Sequence, residues 1–405
     1  MTPGHSASFL TTTARLPHMV LLGILLATAP GSLTLAEDAA PSPARSPAQI
    51  SDALGSLVFE RAERVALARN DGFVYSIDVA LLMLSAVLEG SRPRYERMVG
   101  LLRSHFLVDS PPDFAGAVAA WRARIPSDGK PLDASGTTEA LHLAEALYAG
   151  AEAFGRRADE MLAGKLLKGY ALHAANDNGV WIVRNYYNLQ TRTFATNSYT
   201  IDYAPDLLTY AATRLRNDRL RDISERSVAL LQKTRRPNGL VDAIIQPELI
   251  TLYPDVVFSP DDVIIVEHAC IVAEHAARAM PALARELMAF IMARADKLHR
   301  AYGGQSGHPA GKKPADVGTF SGAVRLAARL GDRGALAKLR KPLLDHAGWL
   351  VDHPAQLEIH AAGQALLALH LLKRAETGAS LPAVMGRPDR SGSGSVSQET
   401  APRRR

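Results

Sequence analysis

The acids of this chain gather where helices are expected to begin. Asp78, Asp133, Glu139 and Asp262 each stand in a short polar cluster ahead of an apolar run with helical spacing. Asp202 lies in an aromatic stretch, and Glu267 sits about one turn inside its helix. Two carboxyls set across a sugar–sugar bond can hydrolyse it. One protonates the leaving oxygen while the other activates water or attacks, at separations of about 5 Å for retention and about 6.5–9.5 Å for inversion. The donor must stay protonated near neutral pH, which apolar or anionic surroundings achieve. Each acid also has a plainer use, as a helix N-cap or a partner of the helix dipole. That use weighs most for Asp261 and less for Glu139, whose DASGTTEA context holds Gly136 and two threonines in what reads as a shaped turn.

A second group is concentrated between Asn176 and Asp206, where Trp181, Tyr186, Tyr187, Tyr199 and Tyr203 stand among amides, arginines and acids. Aromatic faces suit pyranose rings, and amide and guanidinium groups suit hydroxyls. A polysaccharide or oligosaccharide partner is therefore expected, contacted by Trp181, Arg184, Asn185, Tyr186, Tyr187, Gln190, Arg192, Asn197, Tyr199 and Asp202, with Glu267, His268 and His360 beside them. The same residues could support different chemistry. Arg184, Arg192, Asn185 and Gln190 could neutralise a uronate carboxylate while Tyr186 or Tyr187 moves a proton, with His268 or His360 assisting, which is β-elimination by a polysaccharide lyase. A non-catalytic glycan-binding protein is the third reading.

Other chemistries find little support. Glu267-His268 and Glu274-His275 repeat at seven residues, two helical turns apart and too far to share one ion without further ligands. His353, Glu358 and His360 have no recognised ligand spacing, so neither metal nor cofactor is expected. The single cysteine, Cys270, lies in an apolar run and reads as a buried thiol. No serine has a Gly-x-Ser-x-Gly context. The net charge of +5 includes three terminal arginines and forms no basic stripe, which argues against a nucleic-acid partner.

The elements that must position these residues are helical almost throughout. At 405 residues and 47% hydrophobic content, the chain can bury a large core. Residues 1–36 read as an export signal: Arg15 and His18, the apolar run Met19 to Ala27, and a small-x-small site at Thr34-Leu35-Ala36. The expected destination is the periplasm or the exterior, with no stable membrane span once the signal is cleaved. Residues 37–50 read as an Ala/Pro/Ser tether and 380–405 as a disordered Gly/Ser/Arg tail. Between them, 51–379 shows about twelve helices in antiparallel pairs. Asp52 is expected to cap the first, and others span Ser76 to Gly90, Asp113 to Arg124, Thr137 to Phe154, Ser259 to about Ala279, Pro281 to about Tyr302 and Pro354 to Arg374. Strand signals are confined to Val180–Val183 and Leu240–Ile245. This number of hairpins without a fixed repeat implies an all-α (α/α)6 toroid of six inner and six outer helices, with polar clusters at the loop-to-helix junctions lining a cleft.

The order of these clusters resembles the six-hairpin glycosidases, and among them glycoside hydrolase family 8. Ser76 to Glu89 is similar to that family's acid-bearing segment, and Asp133 to Ala146 to its sugar-holding acidic turn. Asn197-Ser198-Tyr199, Pro237 to Val241, and Ser259 to Val266 resemble further segments, the last carrying the base. The resemblance implies an endo-acting glycoside hydrolase and places the base at Asp262. It also places the acid at Ile77, which has no proton to give; Asp78 is adjacent but turned by about 100° on a helix. Glu139 and Asp78 thus compete for the acid role.

Overall fold

The computed structural model describes residues 45–64, 66–108, 116–177, 179–245 and 263–386. The expected export signal, Asp262 and the Ser259–Asp262 helix start therefore lie outside the described residues.

Twelve α-helices occur among them: α1 (Pro47–Glu63), α2 (Ser76–Glu89), α3 (Arg92–His105), α4 (Thr137–Phe154), α5 (Arg157–Tyr170), α6 (Pro205–Leu215), α7 (Asp218–Thr234), α8 (Val266–His275), α9 (Pro281–Met292), α10 (Val317–Leu330), α11 (Arg333–Asp352) and α12 (Ile359–Thr377). Burial separates two rings. In α2, 13 of 14 residues are buried, and so are 13 of 14 in α10. In α11 only 6 of 20 are buried, along one stripe. A helix apolar all round must be enclosed, and one with a single apolar face must lie outside. The even-numbered helices form the inner ring, which α12 closes by packing against α2, with Gly363 set against Leu81 and Leu82. The first outer helix, α1, lies against α11 and α12. The architecture is the expected (α/α)6 toroid.

Short strands deliver the chain into the inner helices. β1 (Val74–Tyr75) runs into α2 and pairs with β4 (Arg122–Ala123). β5 (Ala134–Gly136) runs into α4 and pairs with β8 (Tyr186–Asn188). β12 (Val263–Ile265) runs into α8 and pairs with β13 (Ala301–Gly303). The first N–H of each of these helices, an orphan donor in isolation, goes to a neighbouring loop: Ser76 N to Trp121 O, Thr137 N to Asn185 O, and Val266 N to Arg300 O, each at 3.0 Å. One end of the ring is thereby stitched together from loop to loop.

This stitching explains where the expected elements differ. Residues 116–124 are not helical: Ala120 and Trp121 donate to Phe106 O and Ala134 O, and β4 pairs with β1. Tertiary pairing overrides the helix propensity of an Ala-rich run. α8 begins only at Val266, and α9 ends at Met292 because Ala301–Gly303 is drawn into β13. α1 is capped by Ser46 with Gln49 in a capping box and Pro47 in its first turn, not by Asp52, so its start falls inside the expected tether. At the other end Val384 and Met385, placed in the expected tail, are buried against the core. α12 starts at Ile359, capped by Glu358, after a 3₁₀ turn at Pro354–Gln356. No helix among the described residues is long and apolar enough to cross a membrane.

The rings enclose charge as well as apolar side chains. On α10, Arg325 Nη2 lies 2.8 Å from Glu274 on α8, and Arg329 Nη2 lies 3.0 Å from Glu145 on α4, all four nearly closed to solvent. Removing one partner of a buried pair leaves the other desolvated and uncompensated. Arg329→Met should lower the unfolding free energy by about 3 kcal/mol. Arg226→Ala, which breaks an exposed pair with Asp222, should change it by less than about 1 kcal/mol. Urea denaturation of the two variants checks the contrast.

Candidate active site

At the stitched end, three inner-helix starts contribute side chains to one line of alternating charge. Asp78, in the first turn of α2, is closed to solvent. Arg69, from the preceding loop, forks onto it, Nε donating to Oδ2 at 2.8 Å and Nη2 to Oδ1 at 2.6 Å. His360, in the first turn of α12, places Nδ1 2.8 Å from Asp78 Oδ1 and Nε2 3.4 Å from Glu267 Oε1, in the first turn of α8. Glu267 Oε1 also accepts from Gln364 Nε2 at 3.2 Å, and Gln364 accepts from Arg325 of α10 at 2.6 Å.

Counter-charges decide the protonation of this line. Burial works against charge on Asp78, but Arg69 and His360 outweigh it and hold the carboxyl at about 2. Burial likewise opposes charge on Glu267, and the His360 bond and nearby cations hold it at about 2. His360 is pushed up to about 9, because Asp78 and Glu267 outweigh burial and the repulsion of Arg69. Burial lowers His268, on the same turn, against the pull of Glu267.

Glu139 and Asp202 are buried with no cation bonded to them. Burial raises Glu139 to about 7; its own backbone N–H and the charge of Arg69 offset part of the rise, and the negative charges of Asp202 and Asp78 add to it. Burial raises Asp202 to about 6, against hydrogen bonds from Thr138, Thr137 and the Tyr199 N–H. Both threonine hydroxyls reach Asp202 Oδ1, at 2.6 and 2.7 Å, and Tyr199 N donates to Oδ2 at 2.9 Å. Thr137 Oγ1 has a single proton yet lies 2.6 Å from Asn185 O as well, a pattern that a protonated Asp202 satisfies.

Two glycines let the glutamates fold down onto the ring. A Cβ built on Gly136 would overlap Glu139 Oε2, and one built on Gly318 would overlap Glu267 Oε2. Gly136 has φ −113°, so its role is the space it leaves and not its backbone freedom.

The remaining sequence candidates divide. Tyr186 pairs in register with Gly136, and Tyr199 feels the charges of Tyr186 and Asp202, with Asn197 bonded to its phenol. Asn185 is buried beneath them, its carbonyl accepting from Thr137 and its N–H donating to Asn197 O. The rest of the expected substrate surface faces elsewhere. Trp181 packs towards Tyr203, with Arg226 of outer helix α7 over its ring. Arg184 is forked onto Asp177 through two 2.9 Å bonds, Tyr187 turns to the opposite face of its strand against Phe194, and Gln190 and Arg192 are exposed beyond β8. The Arg-Asn-Tyr constellation that suited elimination is thus dispersed. Asp78 is corrected as an acid candidate: between two cations it has no proton to give. Asp133 is also committed, accepting from Trp121 Nε1 at 2.7 Å and Arg122 Nη2 at 2.9 Å. Asp202, expected to touch substrate, is completely closed off by its donors. Arg69, Gln364 and Gly318 were missed, and no motif marks them. Among the described residues no group of three or more His, Cys, Asp or Glu could hold a metal ion.

No family model and no curated protein matches the sequence. Solved structures do share the fold. An alpha-amylase from Clostridium perfringens is 13% identical with a TM-score of 0.61, the match covering 82% of this chain and 99% of that one. A GH8 xylobiose complex from Teredinibacter turnerae is 15% identical with a TM-score of 0.58, over 80% and 92%. An endo-beta-1,4-glucanase from Acetobacter xylinum is 16% identical with a TM-score of 0.57, over 82% and 100%. The resemblance read from the sequence is borne out as a likeness of fold.

Unlike charges at one site give opposite dependences on pH. Glu139, raised in the fold, contributes stability that is fully present below its ordinary range and is lost as pH rises through about 7. Asp78 and Glu267, lowered to about 2, contribute stability that is lost only as pH falls towards that value. Glu139→Gln should therefore flatten the fall in stability between about pH 5 and pH 8, gaining roughly 3 kcal/mol on wild type at the alkaline end. Chemical denaturation across that range measures it.

Proposed function

We propose that this chain is a polysaccharide-degrading glycoside hydrolase, endo-acting and exported, with Glu139 as the proton donor and Glu267 as its anionic partner. The observation that carries this reading is the division of carboxyls between the first turns of the inner helices α4 and α8. One is held near 7 by burial and like charge, and another near 2 by an imidazolium. Environments that push two acids apart are what separates acid from base in carboxyl-pair catalysis. The fold shared with glycoside hydrolases and the Tyr186–Tyr199 face beside Glu139 support a sugar substrate. The leader sequence supports export.

In the reaction, Glu139 gives its proton to the leaving glycosidic oxygen as the C1–O bond breaks. The negative charge of Glu267 stabilises the cationic sugar, and this carboxylate receives the proton of the water that adds to C1. Asp262 remains the base named by the family resemblance and stands five residues before Glu267, so the two are separate assignments to test.

Incubation with a panel of soluble glycans, read for new reducing ends and for the ultraviolet absorbance of unsaturated uronates, tests the activity. Reducing ends without absorbance are expected. A matching rise in absorbance would establish elimination instead, and binding without either product a non-catalytic protein. Glu139→Gln and Glu267→Gln should each reduce turnover by on the order of 10²–10⁴. Wild-type kcat/KM should fall as pH rises through about 7, where Glu139 loses its proton, and show no acid limb above about pH 4. Full turnover by Glu267→Gln together with its loss in Asp262→Asn would move the base to Asp262.

A further inference from the structure

We propose that His360 is the positioning residue of this site: an imidazolium hydrogen-bonded through Nδ1 and ion-paired through Nε2, by which Asp78 and Arg69 fix the charge and direction of Glu267. This rests on the reading that Glu267 is the anionic partner in hydrolysis.

The argument begins with protons. A neutral imidazole donates from one nitrogen only, and an ionised carboxylate only accepts. His360 has a carboxylate on each side, Asp78 Oδ1 at 2.8 Å from Nδ1 and Glu267 Oε1 at 3.4 Å from Nε2. A neutral ring would need a proton on one of the acids. Asp78 is a poor place for it, since Arg69 donates to both of its oxygens. The arrangement that satisfies every contact is a doubly protonated ring between two carboxylates.

The groups facing the ring carry both signs, with a carboxylate at each nitrogen. From α2 and its preceding loop come Asp78 and Arg69; from α8 come Glu267 and His268; at the N-cap of α12 is Glu358, whose carboxylate lies 3.9 Å from Arg69. Arg300 bears on Glu267 from the next loop and is paired with Asp316 at 3.1 Å. Arg69, Asp78, His360 and Glu267 therefore alternate in charge across three inner-helix starts. Loss of the His360 proton would leave Asp78 and Glu267 facing one another across a neutral ring, with Arg69 touching only the first.

Geometry gives this line a direction. Glu267 Oε2 is pressed over Gly318 and Oε1 is taken by His360 and Gln364. Gln364 is held by Arg325, and Arg325 by Glu274 at 2.8 Å. The reacting carboxylate is the middle of a connected line whose two ends are Arg69 and Glu274. Asp78 serves the site through His360 and gives no proton itself.

The charge on the ring is directly measurable by nitrogen NMR of histidine-labelled protein. Both His360 nitrogens should remain protonated from about pH 5 to about pH 8, in wild type and in Glu139→Gln, and Asp78→Asn should lower the proton affinity of the ring by about tenfold or more. A singly protonated His360 at neutral pH in wild type, or a ring unaffected by Asp78→Asn, would overturn the proposal. Its consequence is read with His360→Ala: kcat should fall by about a hundredfold with KM little changed, and added imidazole should restore turnover at about pH 6, where it is protonated. Unchanged kcat in a folded His360→Ala protein would overturn the positioning role. Should His360→Ala fail to fold, the ring-charge measurement decides alone. Full turnover by Glu267→Gln would instead remove the functional reading, leaving the charge of the ring to be judged separately.

Discussion

Desolvation of carboxyls at one end of the inner ring is the constraint on which the rest of this structure depends. Four acids are taken out of water there, and burial alone would raise the pKa of each. Asp78 and Glu267 are given cations, through Arg69 and His360, and stay ionised. Glu139 and Asp202 are given hydroxyls and backbone N–H groups, which offset burial only in part. One physical term, answered in two ways at different inner-helix starts, produces the protonated and ionised acids that a two-carboxyl reaction needs.

The scaffold makes this arrangement possible by consuming the donors that would otherwise compete. The first N–H of α2, α4 and α8 each goes to a loop carbonyl. The carboxylates of Asp78 and Glu267 are therefore met by side chains from other helices, which ties the first turns of α2, α8 and α12 to each other. Gly136 and Gly318 complete the geometry by letting a glutamate lie across the helix start, where any side chain would collide with it. The same line continues through Gln364 into the buried Arg325–Glu274 pair, so the polar interior of the toroid and its candidate site form a connected network. Such networks hold their members in one arrangement when every partner is present.

The sequence was legible where the structure is local. Helical spacing placed α2 and α4 with near-correct limits, because a run such as Ser76–Glu89 buries nearly every side chain and ends on Gly90 in the left-handed conformation. Polar clusters at helix starts correctly marked the end where charge collects. What was not legible was pairing. Nothing in the residues around Arg69 announces a fork onto Asp78, and nothing in the spacing of His360 and Glu267, 93 residues apart, announces their contact. The aromatic stretch shows the same limit: composition made it look like one surface, but alternation along β7 (Val180–Val183) and β8 sends Trp181 and Tyr187 away from Tyr186 and Tyr199. Residues 116–124 were misread because their partners, not their propensities, make them extended.

The family resemblance places an acid at Ile77, and the structure suggests how a toroid can tolerate its absence. Ile77 is 7% exposed, an apolar side chain at the start of α2. Asp78, one residue on, points where Arg69 and His360 can hold it, so the acid of this helix start supports other groups in place of donating a proton. On the proposed reading the proton donor belongs to the next inner helix, α4, where Glu139 has the burial and the like-charged neighbours that a donor requires. A ring of six inner helices presents comparable N-terminal turns around one centre. A carboxyl lost from one turn can be replaced from its neighbour, provided the new site is buried, has no cation bonded to it and has space for the side chain to reach inward. Glu139 meets all three conditions, the last of them through Gly136.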